Sequence, residues 1–106
     1  MPRLATLDDL PALLAIEEQC FRTDRLSRRS FRHLLSRGHA VTLVDEDASR
    51  IRGYVLLLFS QGTSMARLYS IAVHPDFSRH RIGDRLLEAA EAAALERDCV
   101  SMRLEV

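Results

Sequence analysis

The sequence predicts an α/β fold in the element order β-α-α-β-β-β-α-β, and three observations carry that prediction. Apolar residues recur at helical spacing before residue 36, alternate or run together as strands from residue 40, and return to helical spacing at residue 82. A strand at 68–73, a helix at 82–97 and a strand at 101–106 have the lengths of a parallel crossover unit. The 106 residues are 47% apolar and 28% charged, which suits one small folded domain and argues against a disordered, collagenous or disulfide-stapled chain.

Each element has a local reason. Residues 3–5 read as a short extended start. Thr6 and Asp9 then form a capping-box pattern that opens a helix over 7–20, with Leu10, Leu13, Leu14 and Phe21 at helical spacing and Pro11 tolerated in the first turns. Ser27 predicts the N-cap of a second helix that buries Phe31, Leu34 and Leu35 and stops at Gly38. Ala40–Val44 reads as a strand, Asp45–Asp47 as a turn, and Arg50–Phe59 as a longer strand whose continuous apolar run predicts burial on both faces. Gln61–Ser64 is a second turn, and Leu68–Val73 a strand ended by His74-Pro75. A polar loop, Asp76–Arg81, enters a helix whose stripe is Ile82, Leu86, Ala90, Ala93 and Ala94. Ser101–Val106 is a last alternating strand.

Composition also excludes function classes. The longest apolar run, Tyr54–Phe59, is far short of the ~20 residues a helix needs to cross a bilayer, so no membrane partner is expected. Asp8 and Asp9 stand where a secretory signal would need apolar residues. Fifteen basic residues, all arginine, cancel fifteen acidic ones, which argues against a nucleic-acid partner. The arginines are nonetheless uneven: Arg22, Arg25, Arg28, Arg29, Arg32 and Arg37 share a stretch whose only acid is Asp24. Cys20 and Cys99 lie far apart, outside any metal or redox spacing, and predict two free thiols in a reducing cytoplasm. The four histidines show no metal-ligand spacing.

The informative junction is the strand 68–73, the loop 74–81 and the start of the helix at 82. A loop feeding a helix start presents unpaired N–H groups and the positive end of the helix dipole, which together can hold a phosphate. Gly83 removes a side chain in the first turn, and Arg79, His80 and Arg81 add positive charge. The loop has neither the P-loop nor the dinucleotide-binding glycine pattern, and a solvated connector fits the same residues.

The run Leu68-Tyr-Ser-Ile-Ala-Val-His-Pro-Asp-Phe-Ser-Arg-His-Arg-Ile-Gly-Asp-Arg-Leu-Leu87, with this order of elements, resembles the GNAT superfamily of N-acetyltransferases. The resemblance is to the branch that includes ribosomal-protein-alanine acetyltransferases. It implies a GNAT-like mixed sheet, and it makes residues 1–106 the N-terminal part of one acyl-CoA N-acyltransferase domain, ended before a further helix and two strands. It also implies acetyl-CoA as cosubstrate, with main-chain amides of the loop around the pyrophosphate. The family's R/Q-x-x-G-x-G/A signature falls on Ser78, Arg81 and Gly83, keeping the last glycine but placing arginine where the middle glycine belongs. The resemblance thus assigns cofactor binding to Ile71, Ala72 and Val73 on the strand and to Ser78, Arg79, His80, Arg81, Ile82, Gly83 and Asp84 in the loop and helix start. Glu105, on the strand matching the branch's base-bearing strand, is the candidate general base, and a solvent-facing strand carboxylate fits it equally well.

The function implied is acetyl transfer to a primary amine, with a protein N-terminal amine suggested by the branch. The alternative is a degenerate, non-catalytic acetyl-CoA-binding or interaction module of a larger protein. An unpaired edge at 101–106 further predicts pairing with a second copy of the chain.

Overall fold

The computed structural model describes residues 2–36, 39–60, 62–78 and 80–104. Its strands are β1 (Pro2–Leu4), β2 (Ala40–Asp47), β3 (Arg50–Phe59), β4 (Met65–Val73) and β5 (Ser101–Leu104). Its helices are α1 (Leu10–Cys20), α2 (Arg28–Leu35) and α3 (Ile82–Glu96), with short 3₁₀ turns at Leu7–Asp9 and Pro75–Phe77. The predicted α/β class and element order are those observed. The strands lie in the order β1-β2-β3-β4-β5, antiparallel up to β4, with β5 parallel to β4 after the α3 crossover.

The two faces of the sheet bury different helices. Leu10, Leu13 and Ile16 of α1 and Phe31 of α2 pack on Val44, Tyr54, Leu56 and Ala72. Ile82, Leu86 and Ala90 of α3 pack on Val41, Leu43, Val55, Leu57 and Leu68. Tyr54 through Leu57 are 0% exposed, which is the burial on both faces that the apolar run predicts. Phe31 meets Tyr54 edge-on at 5.7 Å between ring centroids. No helix among the described residues is long and apolar enough to cross a membrane.

The caps behave as their residue types require. Ser27 Oγ accepts the Ser30 N–H at 3.1 Å. The Thr6 N–H donates to the Asp9 carboxylate at 2.7 Å, and Arg3 grips the same carboxylate with two bonds of 2.9 Å, tying β1 to the start of α1. Gly38, the expected stop of α2, lies outside the described residues.

Several boundaries differ from the sequence reading: β1 is Pro2–Leu4 rather than 3–5, Leu7–Asp9 is a 3₁₀ turn so that α1 starts at Leu10, and α3 ends at Glu96 rather than 97. β4 begins at Met65 rather than Leu68, and β2 runs through Asp47, so Asp45–Asp47 is strand and not turn. The hairpin turns instead at Ala48 and Ser49, with φ of 50° and 66°, the positive pair that a two-residue hairpin loop demands. Asp45 resembled a turn residue because its polarity is answered from across the hairpin: it is 0% exposed and accepts the Arg52 Nε–H at 2.8 Å.

Arginine at position 3 also makes the fold acid-sensitive. Its hydrogen bonds hold the Asp9 carboxyl below the ordinary value of 3.8, so the stability from this pair is full above that value and is lost as pH falls below it. Asp9→Asn is therefore expected to lower the melting temperature at neutral pH, with the gap to the parent chain closing in acid, as measured by thermal unfolding across a pH series.

Candidate active site

The site begins with an extra residue in β4. Leu57 pairs with Leu68 and Leu56 with Ser70, so Tyr69 has no opposite number and forms a bulge. The bulge exchanges the faces of the strand. Ala66 and Leu68 pack toward α3, whereas Ser70 and Ala72 face α1 and α2. Tyr69 and Ser70 both line the cavity on the α1 side.

The main chain of β4 has an open side. The His74 N–H donates to the Arg52 carbonyl at 2.8 Å. By the alternation of an antiparallel ladder, Ala72 then spends its N–H and C=O on Tyr54, and those of Ile71 and Val73 point away from β3. β5 pairs with β4 only over Met65–Leu68, so the edge at Ile71–Val73 carries no strand among the described residues. The Val73 carbonyl accepts the Cys20 thiol at 3.3 Å. Of the three strand residues singled out in the sequence, Ile71 and Val73 present main-chain groups at this edge, and Ala72 contributes a buried side chain.

Past β4 the chain turns tightly into α3. The N–H of Asp76 donates to His74 Nδ1, that of Phe77 to the His74 carbonyl, that of Ser78 to the Pro75 carbonyl, and that of His80 to the Phe77 carbonyl. The amides of Ser78 and His80 are therefore satisfied within the loop. Those of Ile82, Gly83 and Asp84 occupy the first turn of α3, where no helical acceptor exists, and the first closing bond is Arg85 N–H to the Arg81 carbonyl. Arg81 adopts φ 57°, ψ 28°, the left-handed conformation a glycine would take without cost. Its side chain is 84% exposed and lies 3.6 Å from Asp84, so the guanidinium stands in solvent and not among the amides. Arg50 covers the Phe77 ring at 4.8 Å, with Arg52 at 5.9 Å, supporting the loop from beneath. Arg79 and Glu105 lie outside the described residues.

On the α1 side, a cavity of about 590 Å³ is lined by Glu17, Cys20, Leu26, Tyr69, Ser70 and Ile71 among others. Glu17 is 2% exposed and accepts the Tyr54 hydroxyl and, at 2.7 Å, the Leu26 N–H. Because the carboxylate can only accept, the Tyr54 proton goes to it, and the Ser70 hydroxyl, 2.8 Å away, donates to the phenol oxygen. Burial and the bond to Glu17 raise the Tyr54 pKa, with Ser70 opposing. Burial and the nearby Glu17 charge raise that of Cys20, which keeps it a thiol rather than a nucleophilic thiolate. Glu17, Tyr54 and Ser70 were not singled out in the sequence. The one local signal was a carboxylate interrupting the apolar spacing of α1. A second cavity of about 470 Å³ adjoins the first through Leu26 and Tyr69 and is edged by Arg29, Ser30 and His33 of α2. No group of three or more histidine, cysteine or acidic residues among the described residues is placed to hold a metal.

Residues 8–106 match the family profile described as the acetyltransferase (GNAT) family. The chain belongs to this GNAT family. Among curated proteins, this GNAT chain is 35% identical over 92 residues to an amino-acid acetyltransferase of Pasteurella multocida, and 32% identical over 92 residues to one of Mannheimia succiniciproducens. In each case the match covers 87% of this chain and 21% of the relative, so the GNAT chain spans about a fifth of the length of those relatives. Its fold is that of the ribosomal-protein-S18-alanine N-acetyltransferase of Escherichia coli, with TM-score 0.83, 24% identity, and coverage of 100% of this chain and 67% of that one. It is also that of the PaiA N-acetyltransferase of Thermoplasma acidophilum, crystallised with coenzyme A, with TM-score 0.89, 17% identity, and coverage of 100% and 78%.

Proposed function

We propose that this chain binds acetyl-CoA and transfers the acetyl group to a primary amine. One observation carries the reading: Gly83 is a glycine the fold does not require. It is helical, it is absent from the positive-φ positions, and a Cβ built on it meets nothing nearer than Val73 Cγ2 at 4.0 Å. An amide left bare at a helix start, without a structural reason, fits close approach by a phosphate. The left-handed Arg81 supports the same fit, since it keeps the backbone course of the family's glycine and leaves the amides of Ile82, Gly83 and Asp84 uncovered.

In this reading those three amides hold the pyrophosphate, flanked by Ser78, Arg79, His80 and Arg81. The open main-chain groups of Ile71 and Val73, beside Ala72, receive the pantetheine arm. Acetyl-CoA supplies the activated thioester. The chain supplies orientation, a carbonyl-facing strand edge and an acceptor cavity on the α1 side. Glu105 is the proposed general base. Residues 1–106 act as part of one acetyltransferase domain, in the cytoplasm, where the free thiols Cys20 and Cys99 persist. A protein N-terminal amine is the proposed acceptor, and a second copy pairing along β5, where Leu104 is 61% exposed, is the proposed protein partner.

Titration calorimetry with acetyl-CoA tests the reading. The parent chain is expected to bind, and Gly83→Ala to bind about tenfold more weakly or worse, because the new methyl group stands where the phosphate approaches. The same substitution is expected to leave folding intact, or to stabilise it by up to about 1 kcal/mol through helix propensity. Equal affinity in both chains, or no binding at millimolar acetyl-CoA, overturns the proposal. Binding without turnover on any amine supports the alternative of a non-catalytic coenzyme-binding module.

A further inference from the structure

Glu17 is buried at the floor of the α1-side cavity, and both its oxygens accept from neutral donors, the Tyr54 hydroxyl and the Leu26 N–H. Among the described residues no arginine or histidine lies within ion-pair distance of it. Asp45, the other fully enclosed carboxylate, has Arg52 as its counter-ion, whereas Glu17 has none among the described residues. A buried carboxylate without a cation costs stability, and two of its lone-pair sites remain unspent. Arg22 and Asp24, the other charged residues lining this cavity, are exposed and offset one another. The cavity wall also includes apolar Phe21, Leu26 and Tyr69, and Ile71 joins it to the open edge of β4.

We infer that Glu17 is the docking carboxylate for the acceptor, and that the acceptor class is a cationic primary amine whose apolar portion lies against Phe21, Leu26 and Tyr69. This rests on the acetyl-transfer reading for its purpose, but the binding event itself needs no coenzyme. The ammonium head supplies the counter-charge that Glu17 lacks among the described residues, and the Leu26 bond, with that of Tyr54, holds the carboxylate to receive it.

Glu17→Gln separates this role from a structural one. The amide oxygen can still accept the Leu26 N–H, and the amide NH₂ can donate to the Tyr54 oxygen while the phenol proton turns to Ser70, so the network survives and only the charge is lost. The full chain is titrated with n-butylammonium chloride, and the Leu26 amide signal is followed by NMR, with n-butanol and sodium chloride as controls. The parent chain is expected to show a saturable shift with the ammonium alone, and Glu17→Gln to weaken it about tenfold or more. In turnover with acetyl-CoA and n-butylamine, the variant is expected to raise the KM for the amine about tenfold and leave that for acetyl-CoA unchanged. No saturable shift in the parent chain, or an equal shift in the variant, overturns the inference. If Glu17→Gln does not fold, the Glu17 carboxyl carbon signal of the parent chain decides: it should move saturably with the ammonium and stay still with n-butanol, and a still signal in both overturns the inference. Calorimetry with acetyl-CoA reports separately on the acetyl-transfer reading, so either can fail while the other stands.

Discussion

Arg52→Ala is expected to cost about 3–5 kcal/mol, close to the limit of what a domain of this size can lose and still fold. The reason lies in the position of its partner. Asp45 is 0% exposed on β2, its Oδ1 accepts from Arg52 at 2.7 and 2.8 Å, and its Oδ2 has no partner among the described residues. Removing the guanidinium leaves a charge that can neither reach water nor find a donor. The substitution should also slacken the turn into α3, since Arg52 lies 5.9 Å from the centre of the Phe77 ring. Thermal unfolding should show a drop of at least about 12 °C. Asp45→Leu combined with Arg52→Met should recover most of it, because an apolar pair of similar volume needs no counter-ion. A loss under about 1 kcal/mol for the single variant is what an exposed pair would give, and would refute a buried one.

Gly53→Ala is the second large effect expected, at about 1–3 kcal/mol. A Cβ at this position falls 2.8 Å from the Ala72 carbonyl oxygen, 3.2 Å from Leu86 Cδ1 and 3.3 Å from Ile82 Cγ2. The first of these neighbours is backbone and cannot swing aside. The other two belong to the opening turns of α3, so the helix must lift from the sheet at the end that carries the bare amides of Ile82 to Asp84. The expected signature is therefore double: a lower melting temperature, and weaker acetyl-CoA binding even in the fraction that remains folded. Gly83→Ala should show only the second of these. The contrast between two glycine-to-alanine variants, one blocked by the protein and one open, tests the packing account without reference to any relative.

Much of the fold was legible because its signals are local. The α3 stripe repeats over four turns, Ser27 caps α2 three residues ahead of the amide it accepts, and the Tyr54–Phe59 run marks a strand covered on both sides. The hairpin was misplaced because the polarity of Asp45 is cancelled by a residue seven positions away, and because its turn uses Ala48 and Ser49, neither of which advertises a positive φ. The open amides at the start of α3 were legible from helix-end chemistry alone, while the left-handed course of Arg81 was not, since an arginine carries no such preference. The cavity on the α1 side was the least legible. Glu17 meets Tyr54 across 37 residues, and Tyr54 meets Ser70 across 16, through a bulge that leaves no mark in residue type.

That bulge makes β4 unequally forgiving of two kinds of mutation. Exchanging Tyr69 for another residue alters one wall of the cleft, whereas losing its codon would shift the inward and outward registers of the strand by one place. Ser70 would then turn from the phenol of Tyr54 toward the opposite layer, or the first half of the strand would surrender Leu68 to solvent. Natural variation at this point should accordingly be rich in substitutions and poor in changes of chain length.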